Sequence, residues 1–184
     1  GGGPYFSGDR LLNRSKKVVC DYDRYYGSLN SFFRKLESLY SLDVYIIPHP
    51  KYKSKKKGNL NPFFDKKKVI NDYDALPRLA SNCSFFINYN STALSYAISA
   101  NKPVILFYSS KYYEEAPSIK LSRELLANTL NKKALDICNY TLRDIKNSLS
   151  IDQKKYDQYK YEYLTPKNKS VENTPNSEIL EKLI

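Results

Sequence analysis

The sequence predicts an α/β domain, a Rossmann-like parallel sheet with helices on both faces. Three observations lead there. The runs Asp43-Val44-Tyr45-Ile46-Ile47, Ser84-Phe85-Phe86-Ile87-Asn88 and Val104-Ile105-Leu106-Phe107 lack the polar alternation of a strand wetted on one side. Helical segments separate them, so the order along the chain is that of crossover connections between parallel strands. A chain of 184 residues that is 41% hydrophobic can bury one substantial core.

Each element has its own warrant. Lys17-Val18-Val19-Cys20-Asp21 reads as a short strand ending in an acid. From Tyr25 to Tyr40, the residues Leu29, Phe32, Phe33, Leu36, Leu39 and Tyr40 recur at the three-and-four spacing of an amphipathic helix. The strand over 43–47 stops at Pro48-His49-Pro50, because two prolines around one residue end a strand and hold the chain extended. Residues 51–68 form a lysine-rich loop with Gly58 and Pro62, read as solvated surface. Lys68-Val69-Ile70 is a further short strand, and 74–80 a short helix capped by Asn71 or Asp72. After the strand over 84–88 comes a helix over 91–100, a turn at Asn101-Lys102-Pro103 and the strand over 104–107. Helices are expected over 121–130 and 140–149, with an edge strand at 134–137 between them. A tyrosine-rich helix over 152–163, a polar linker over 165–173 and a short amphipathic helix over 177–184 complete the chain. The domain reading is therefore 1–16 as an N-terminal tag or linker, 17–150 as the Rossmann-like domain and 151–184 as a helical tail. The opening Gly1-Gly2-Gly3 and the lack of any methionine lead us to expect a piece of a longer protein.

Composition narrows the partners. Lys and Arg number 30 against 19 Asp and Glu, a net charge of +11, which suits phosphorylated ligands, an anionic membrane surface or nucleic acid. Much of the excess lies in the 51–68 loop, and no RGG tract, zinc knuckle or other RNA-binding signature accompanies it, so nucleic acid is not expected. No run reaches the roughly 18 to 20 apolar residues of a membrane span, and no signal peptide is visible, so a cytoplasmic location is expected. Cys20, Cys83 and Cys138 have no CxxC spacing and read as buried free thiols. His49 is the single histidine, which rules out a multi-histidine metal site; no metal and no cofactor are expected.

Parallel sheets bind ligands beyond the carboxyl ends of their strands, which directs attention to Asp21, His49, the 88–92 segment and the 108–110 segment. His49, fixed between prolines at a strand end, can donate a hydrogen bond to a phosphate oxygen and titrates near neutrality. Asn88-Tyr89-Asn90-Ser91-Thr92 runs from a strand end into a helix start. One hydroxyl there would be an ordinary helix cap, supplied by Asn90 or Ser91; two in succession suit an anion. There is neither a GxGxxG nor a GxxxxGK[ST] motif.

His49-Pro50, followed by Asn90-Ser91-Thr92 and then Ala-Leu-Ser-Tyr-Ala-Ile-Ser-Ala-Asn-Lys-Pro-Val-Ile, resembles the donor-binding half of GT-B glycosyltransferases. The likeness is greatest to bacterial sialyltransferases and to capsule and lipooligosaccharide enzymes carrying HP and Ser-Ser/Thr motifs, and it covers roughly residues 18–107. The resemblance implies one half of a GT-B fold and a nucleotide-sugar donor, with CMP-linked sugars first and UDP- or CDP-linked ones open. It implies that His49, Ser91 and Thr92 bind the donor phosphate; Pro50 and Asn90 are candidates for the same site, and the chemistry of a departing phosphate makes His49 a candidate catalytic general acid toward it. Asp21, Glu114 and Glu115 are candidate nucleotide or ribose contacts, although Glu114 and Glu115 read equally well as a solvated loop. The implied acceptor is a glycan or glycolipid, and the positive charge suits peripheral contact with the anionic inner membrane. The family's general base sits in a D/E-D/E-G motif of the other domain. Asp21-Tyr22-Asp23 lacks that glycine, so the base is expected on a separate half. Two other readings stay open: a CDP-polyol phosphotransferase or sugar-nucleotide epimerase relative, and a non-catalytic module that binds a polymer or a partner.

Overall fold

A computed structural model describes residues 21–47, 64, 68–70, 72, 75–89, 91–112 and 117–165. Its elements are α1 (Tyr22–Tyr40), α2 (Leu76–Asn82), β1 (Phe86–Asn88), α3 (Leu94–Ser99), β2 (Val104–Tyr108), α4 (Pro117–Thr129), β3 (Leu135–Asp136), α5 (Leu142–Ser148) and α6 (Gln153–Tyr163). The three strands form a parallel sheet in the order β1-β2-β3. Phe86 pairs with Val104 and Asn88 with Leu106, while Tyr108 pairs with Asp136. The expected α/β architecture, with helices around a parallel sheet, is what the chain adopts.

The central strand explains its own sequence. Val104, Ile105, Leu106 and Phe107 are all buried. Because side chains alternate across a strand, Ile105 and Phe107 face one core and Val104 and Leu106 the other. The first core is made with Tyr25, Leu29, Phe32 and Leu36 of α1 and Ile145 of α5. The second takes Leu94, Ala97 and Ile98 from α3, Ala127 of α4, Leu130 just beyond it and Tyr156 of α6. The sheet is thus covered on both faces, and no polar residue could alternate into β2 without meeting one of these cores.

Helix ends follow local chemistry. Asp21 caps α1, its Oδ1 accepting from the Arg24 amide at 3.1 Å, and Ser41 closes that helix in the left-handed region at φ 53°. Thr141 and Asp144 form a reciprocal capping box on α5. Hydrogen bonds from the Thr141 side chain and amide hold the Asp144 carboxyl below its ordinary range. The turn from α3 to β2 needs a positive φ, 51°, and Asn101 supplies it, one of the few residues other than glycine that tolerate it. Asp152 caps α6 and accepts from Asn131 Nδ2 at 2.8 Å, tying α6 to the end of α4.

Some boundaries differ from expectation. The helix read from Tyr25 starts at Tyr22, since Asp21 is its cap rather than a strand end; residues 17–20 lie outside the described residues. The strand read over 43–47 appears as a single parallel bridge between Ile46 and Val69. That bridge is buttressed by the ion pair of Lys68 with Glu37, which also accepts from the Val44 amide at 2.9 Å. Burial alone would raise the Glu37 carboxyl, but these two donors and the lysine charge hold it below its ordinary range. Ala75, and not Asp72, occupies the cap position of α2, without a side-chain bond; the Asp72 carboxylate pairs with Arg78 at 3.5 Å, and Asn71 lies outside the described residues. Cys83 and Cys138 are free, half-buried thiols, and burial pushes the Cys83 thiol up; Cys20 and the helix read over 177–184 lie outside the described residues.

α6 packs as part of the second core rather than beside it. The Tyr156 ring is buried and its hydroxyl donates to the Lys102 carbonyl at 3.1 Å, and burial pushes its pKa up to about 12. Between pH 10 and 12 the folded chain therefore keeps a proton that the unfolded chain has released, and stability falls as pH rises through that window. Tyr156→Phe is expected to cost about 1 kcal/mol at neutral pH by removing the hydrogen bond and to flatten the loss above pH 10. Ile105→Ala should cost about 2–5 kcal/mol through the cavity left between sheet and helix. Urea titrations at pH 7 and pH 11 check both.

Candidate functional site

Asn88, the last residue of β1, is 4% exposed and organises the turn that follows. Its Nδ2 donates to the Ser91 carbonyl and its Oδ1 accepts from the Ser91 amide, both at 2.9 Å. This two-bond clamp fixes the backbone of Ser91 against the sheet. Ser91 Oγ then accepts from the Ala93 amide at 3.2 Å. The Leu94 and Ser95 amides bond back to the carbonyls of Ser91 and Thr92 at 3.1 and 3.0 Å. The amides of residues 91, 93, 94 and 95 are therefore committed within the turn.

What remains for a ligand is specific. The Ser91 hydroxyl is used only as an acceptor, so its proton is available to donate. Thr92 is exposed, and neither its hydroxyl nor its amide makes a hydrogen bond among the described residues. Two adjacent hydroxyls on a braced turn can thus converge on one anion. α3 itself begins only at Leu94 and has six residues, so its dipole adds little and the side chains carry the interaction. Ser91 caps the turn and keeps a proton to offer, so the capping and ligand-binding readings of this residue are compatible.

The neighbouring strand ends are laced to the same edge. Asp136, at the end of β3, accepts from the Ser110 and Cys138 amides at 3.1 and 3.0 Å. Ser109 is buried, with Oγ 3.2 Å from Cys138 Sγ and accepting from the Tyr112 amide at 3.4 Å. The Asp21 amide donates to the Tyr112 carbonyl at 3.0 Å, which brings the start of α1 to this edge. Asp21 is thereby near the strand ends, but its carboxylate is engaged inside α1: Oδ1 takes the Arg24 amide and Oδ2 lies 3.4 Å from Arg24 Nε. The structure therefore brings Asp21, Ser91 and Thr92 to one edge of the sheet. His49, Pro50, Asn90, Glu114 and Glu115 lie outside the described residues. No group of three or more His, Cys, Asp or Glu side chains among the described residues is placed to hold a metal ion.

A second concavity, of about 470 Å³, lies between α4 and the chain leading into β3, with Tyr108, Lys120, Arg123, Glu124 and Lys133 in its walls. Arg123 is 5% exposed and its guanidinium sits 4.5 Å above the Tyr108 ring. Lys132 also lines the groove, but its Nζ is drawn to the carbonyls of Ser148 and Ser150 at 2.6 and 2.5 Å. Burial lowers its pKa to about 8. The sequence places Asn88 in the 88–92 segment without giving it a role, and does not single out Arg123. An Asn two to three residues before a Ser-Thr pair is a recognisable turn signal, whereas nothing local distinguishes Arg123 from the other helix cations.

A family model for LIC12162 family transferases matches residues 10–129, which takes in α1 to α4 and the β1–α3 turn. No curated protein and no solved structure matches the chain.

Removing the clamp tests its role. Asn88→Ala leaves the Ser91 amide and carbonyl without their buried partner and is expected to cost about 1–3 kcal/mol. Asn88→Asp restores the acceptor but not the donor, adds a charge at a buried position, and should be no better. Thermal unfolding of the two variants beside the unaltered chain gives the comparison.

Proposed function

The chain belongs to the LIC12162 family of transferases, and on that footing we propose that it is the donor-binding half of a glycosyltransferase that takes a sugar from a nucleotide-activated donor. The observation that carries the reading is the pair of hydroxyls, Ser91 and Thr92, on the turn clamped by Asn88 at the carboxyl edge of a parallel sheet. Nucleotide ligands favour that edge in open α/β sheets, and two preset donors suit a phosphate. Asn90 and the His49-Pro50 pair join the site on the strength of the sequence resemblance. The same resemblance makes a CMP-linked sugar the preferred donor.

The chemistry follows from where charge develops. As the glycosidic bond to the donor phosphate breaks, negative charge grows on the departing phosphate oxygens. Donors held in place beforehand stabilise that charge more than the ground state, without reorganising. Ser91 and Thr92 supply two such hydrogen bonds, and His49 a third or a proton. The acceptor hydroxyl loses its proton to a base on the other half of the enzyme. The acceptor in this reading is a surface glycan or glycolipid. The net charge of +11 supports peripheral contact with the anionic inner membrane where lipid-linked acceptors are made. No helix among the described residues is long and apolar enough to cross a membrane.

Thermal-shift titrations with CMP, CDP, UDP and GDP test the donor site. A ligand bound only by the folded chain stabilises it by about 2.7 kcal/mol at a hundred times its Kd. CMP is expected to raise Tm, and both His49→Ala and the double variant Ser91→Ala/Thr92→Val to abolish the rise. A rise with CDP or UDP alone would keep the site and change the donor. No rise with any nucleotide would overturn the reading.

A further inference from the structure

A nucleotide at the edge of a parallel sheet calls for an acceptor facing its ribose hydroxyls as well as donors facing its phosphate. Of the acids near the strand ends, Asp21 has both carboxylate oxygens engaged with Arg24. Asp136 keeps one in hand. Its Oδ1 takes the Ser110 and Cys138 amides at 3.1 and 3.0 Å, while Oδ2 has no hydrogen bond or ion pair among the described residues. A carboxylate oxygen accepts two donors, the number that a vicinal diol offers. The two amide bonds also fix the carboxylate before any ligand arrives, so little ordering is left for binding.

Placement favours the same ligand. Asp136 pairs with Tyr108, two residues beyond the Asn88–Leu106 pair, so it stands past the end of β1 on the side where the Ser91 turn follows. By accepting the Ser110 amide, the carboxylate is drawn from β3 toward the chain leaving β2, the strand beside β1. β1 and β3 lie two strand spacings apart, roughly 10 Å. A nucleoside 5′-phosphate with a hydrogen bond at each end bridges such a gap. Ser110 is exposed, and its hydroxyl makes no bond among the described residues, so it can donate to or accept from the same sugar.

We propose that Asp136 Oδ2, seconded by the Ser110 hydroxyl, receives the ribose 2′- and 3′-hydroxyls of the nucleotide whose phosphate is held by Ser91 and Thr92. Asp136 is then a specificity-determining residue, selecting ribonucleotides over their deoxy forms, because a site built to bond a hydroxyl rejects the analogue that lacks it. The assignment rests on the donor reading above.

Calorimetric titration compares CMP with 2′,3′-dideoxy-CMP, which keeps the base and phosphate and lacks both hydroxyls; a CDP or UDP donor is tested with its own dideoxy pair. The chains are the unaltered protein, Asp136→Asn, Ser110→Ala and Ser91→Ala/Thr92→Val. In Asp136→Asn, Oδ1 still accepts both amides, while the group in place of Oδ2 becomes a donor. The unaltered chain is expected to bind CMP about tenfold or more tightly than the dideoxy form, a difference of about 1.4 kcal/mol or more. Asp136→Asn should bring CMP down to the dideoxy affinity, leave the dideoxy affinity in place and melt without ligand at the temperature of the unaltered chain. Ser110→Ala, which spares the amide bond to Asp136, should lose part of the same preference. The Ser91/Thr92 pair should weaken both nucleotides alike. Equal affinities in the unaltered chain, or an Asp136→Asn variant that weakens both nucleotides alike, would overturn the ribose assignment and leave the donor site standing. If neither member of any pair binds the unaltered chain, the donor reading falls and this assignment with it.

Discussion

Val104, Ile105, Leu106 and Phe107 must all leave water together, and a strand in that position needs cover on two faces at once. α1 and α5 supply one cover; α3, α4 and α6 supply the other. With apolar burial contributing on the order of 25 cal/mol per Å², the four side chains of β2 bind two layers of helix to one strand. Parallel pairing follows from the same requirement, because helices that cover a sheet are also the crossovers between its strands. The direction of the strands then gathers every strand-to-helix turn on one edge. The position of Asn88, Ser91, Ser109 and Asp136 beside one another is thus a consequence of how β2 is buried.

A turn placed by a sheet is not yet a site, because a loose turn lets its hydroxyls point anywhere. Asn88 changes that. It sits within the sheet, where its side chain is buried and its conformational freedom already lost, and it grips both backbone polar groups of Ser91. The cost of ordering Ser91 is therefore met by folding and not by ligand binding, which is the meaning of preorganisation. Asp136 does comparable work across the β2 and β3 ends by accepting two amides. Rigid strand ends carrying exposed hydroxyls are a general way to hold a phosphate without a glycine-rich loop.

The sequence made the fold class readable because β2 is apolar at every position and α1 keeps its spacing at Tyr25, Leu29, Phe32 and Leu36. Both signals report burial, which depends on residue type. Boundaries were less legible where hydrogen bonds decide them. Asp21 looked like a strand end and is a cap, since only the geometry reveals that its carboxylate reaches the Arg24 amide. Asp72 looked like a cap, yet Ala75 stands at the cap position of α2. Tyr156 sat in a segment whose polarity suggested a tail, yet its ring completes the second core. An amphipathic side chain can bury its body while its hydroxyl finds a carbonyl.

The turn and the basic concavity differ in legibility for a related reason. Ser91 and Thr92 are adjacent in sequence, so a local pattern exposes them. Lys120, Arg123 and Lys133 come together only through the folding of α4 against β3, and among 30 basic residues none of them stands out. What separates Arg123 from the rest is burial. A charged group taken out of water loses several kcal/mol of hydration unless the fold compensates it, and the Tyr108 face provides part of that compensation. Stacked over the last aromatic ring of β2, the Arg123 guanidinium is ordered by folding, and no local sequence pattern could announce that.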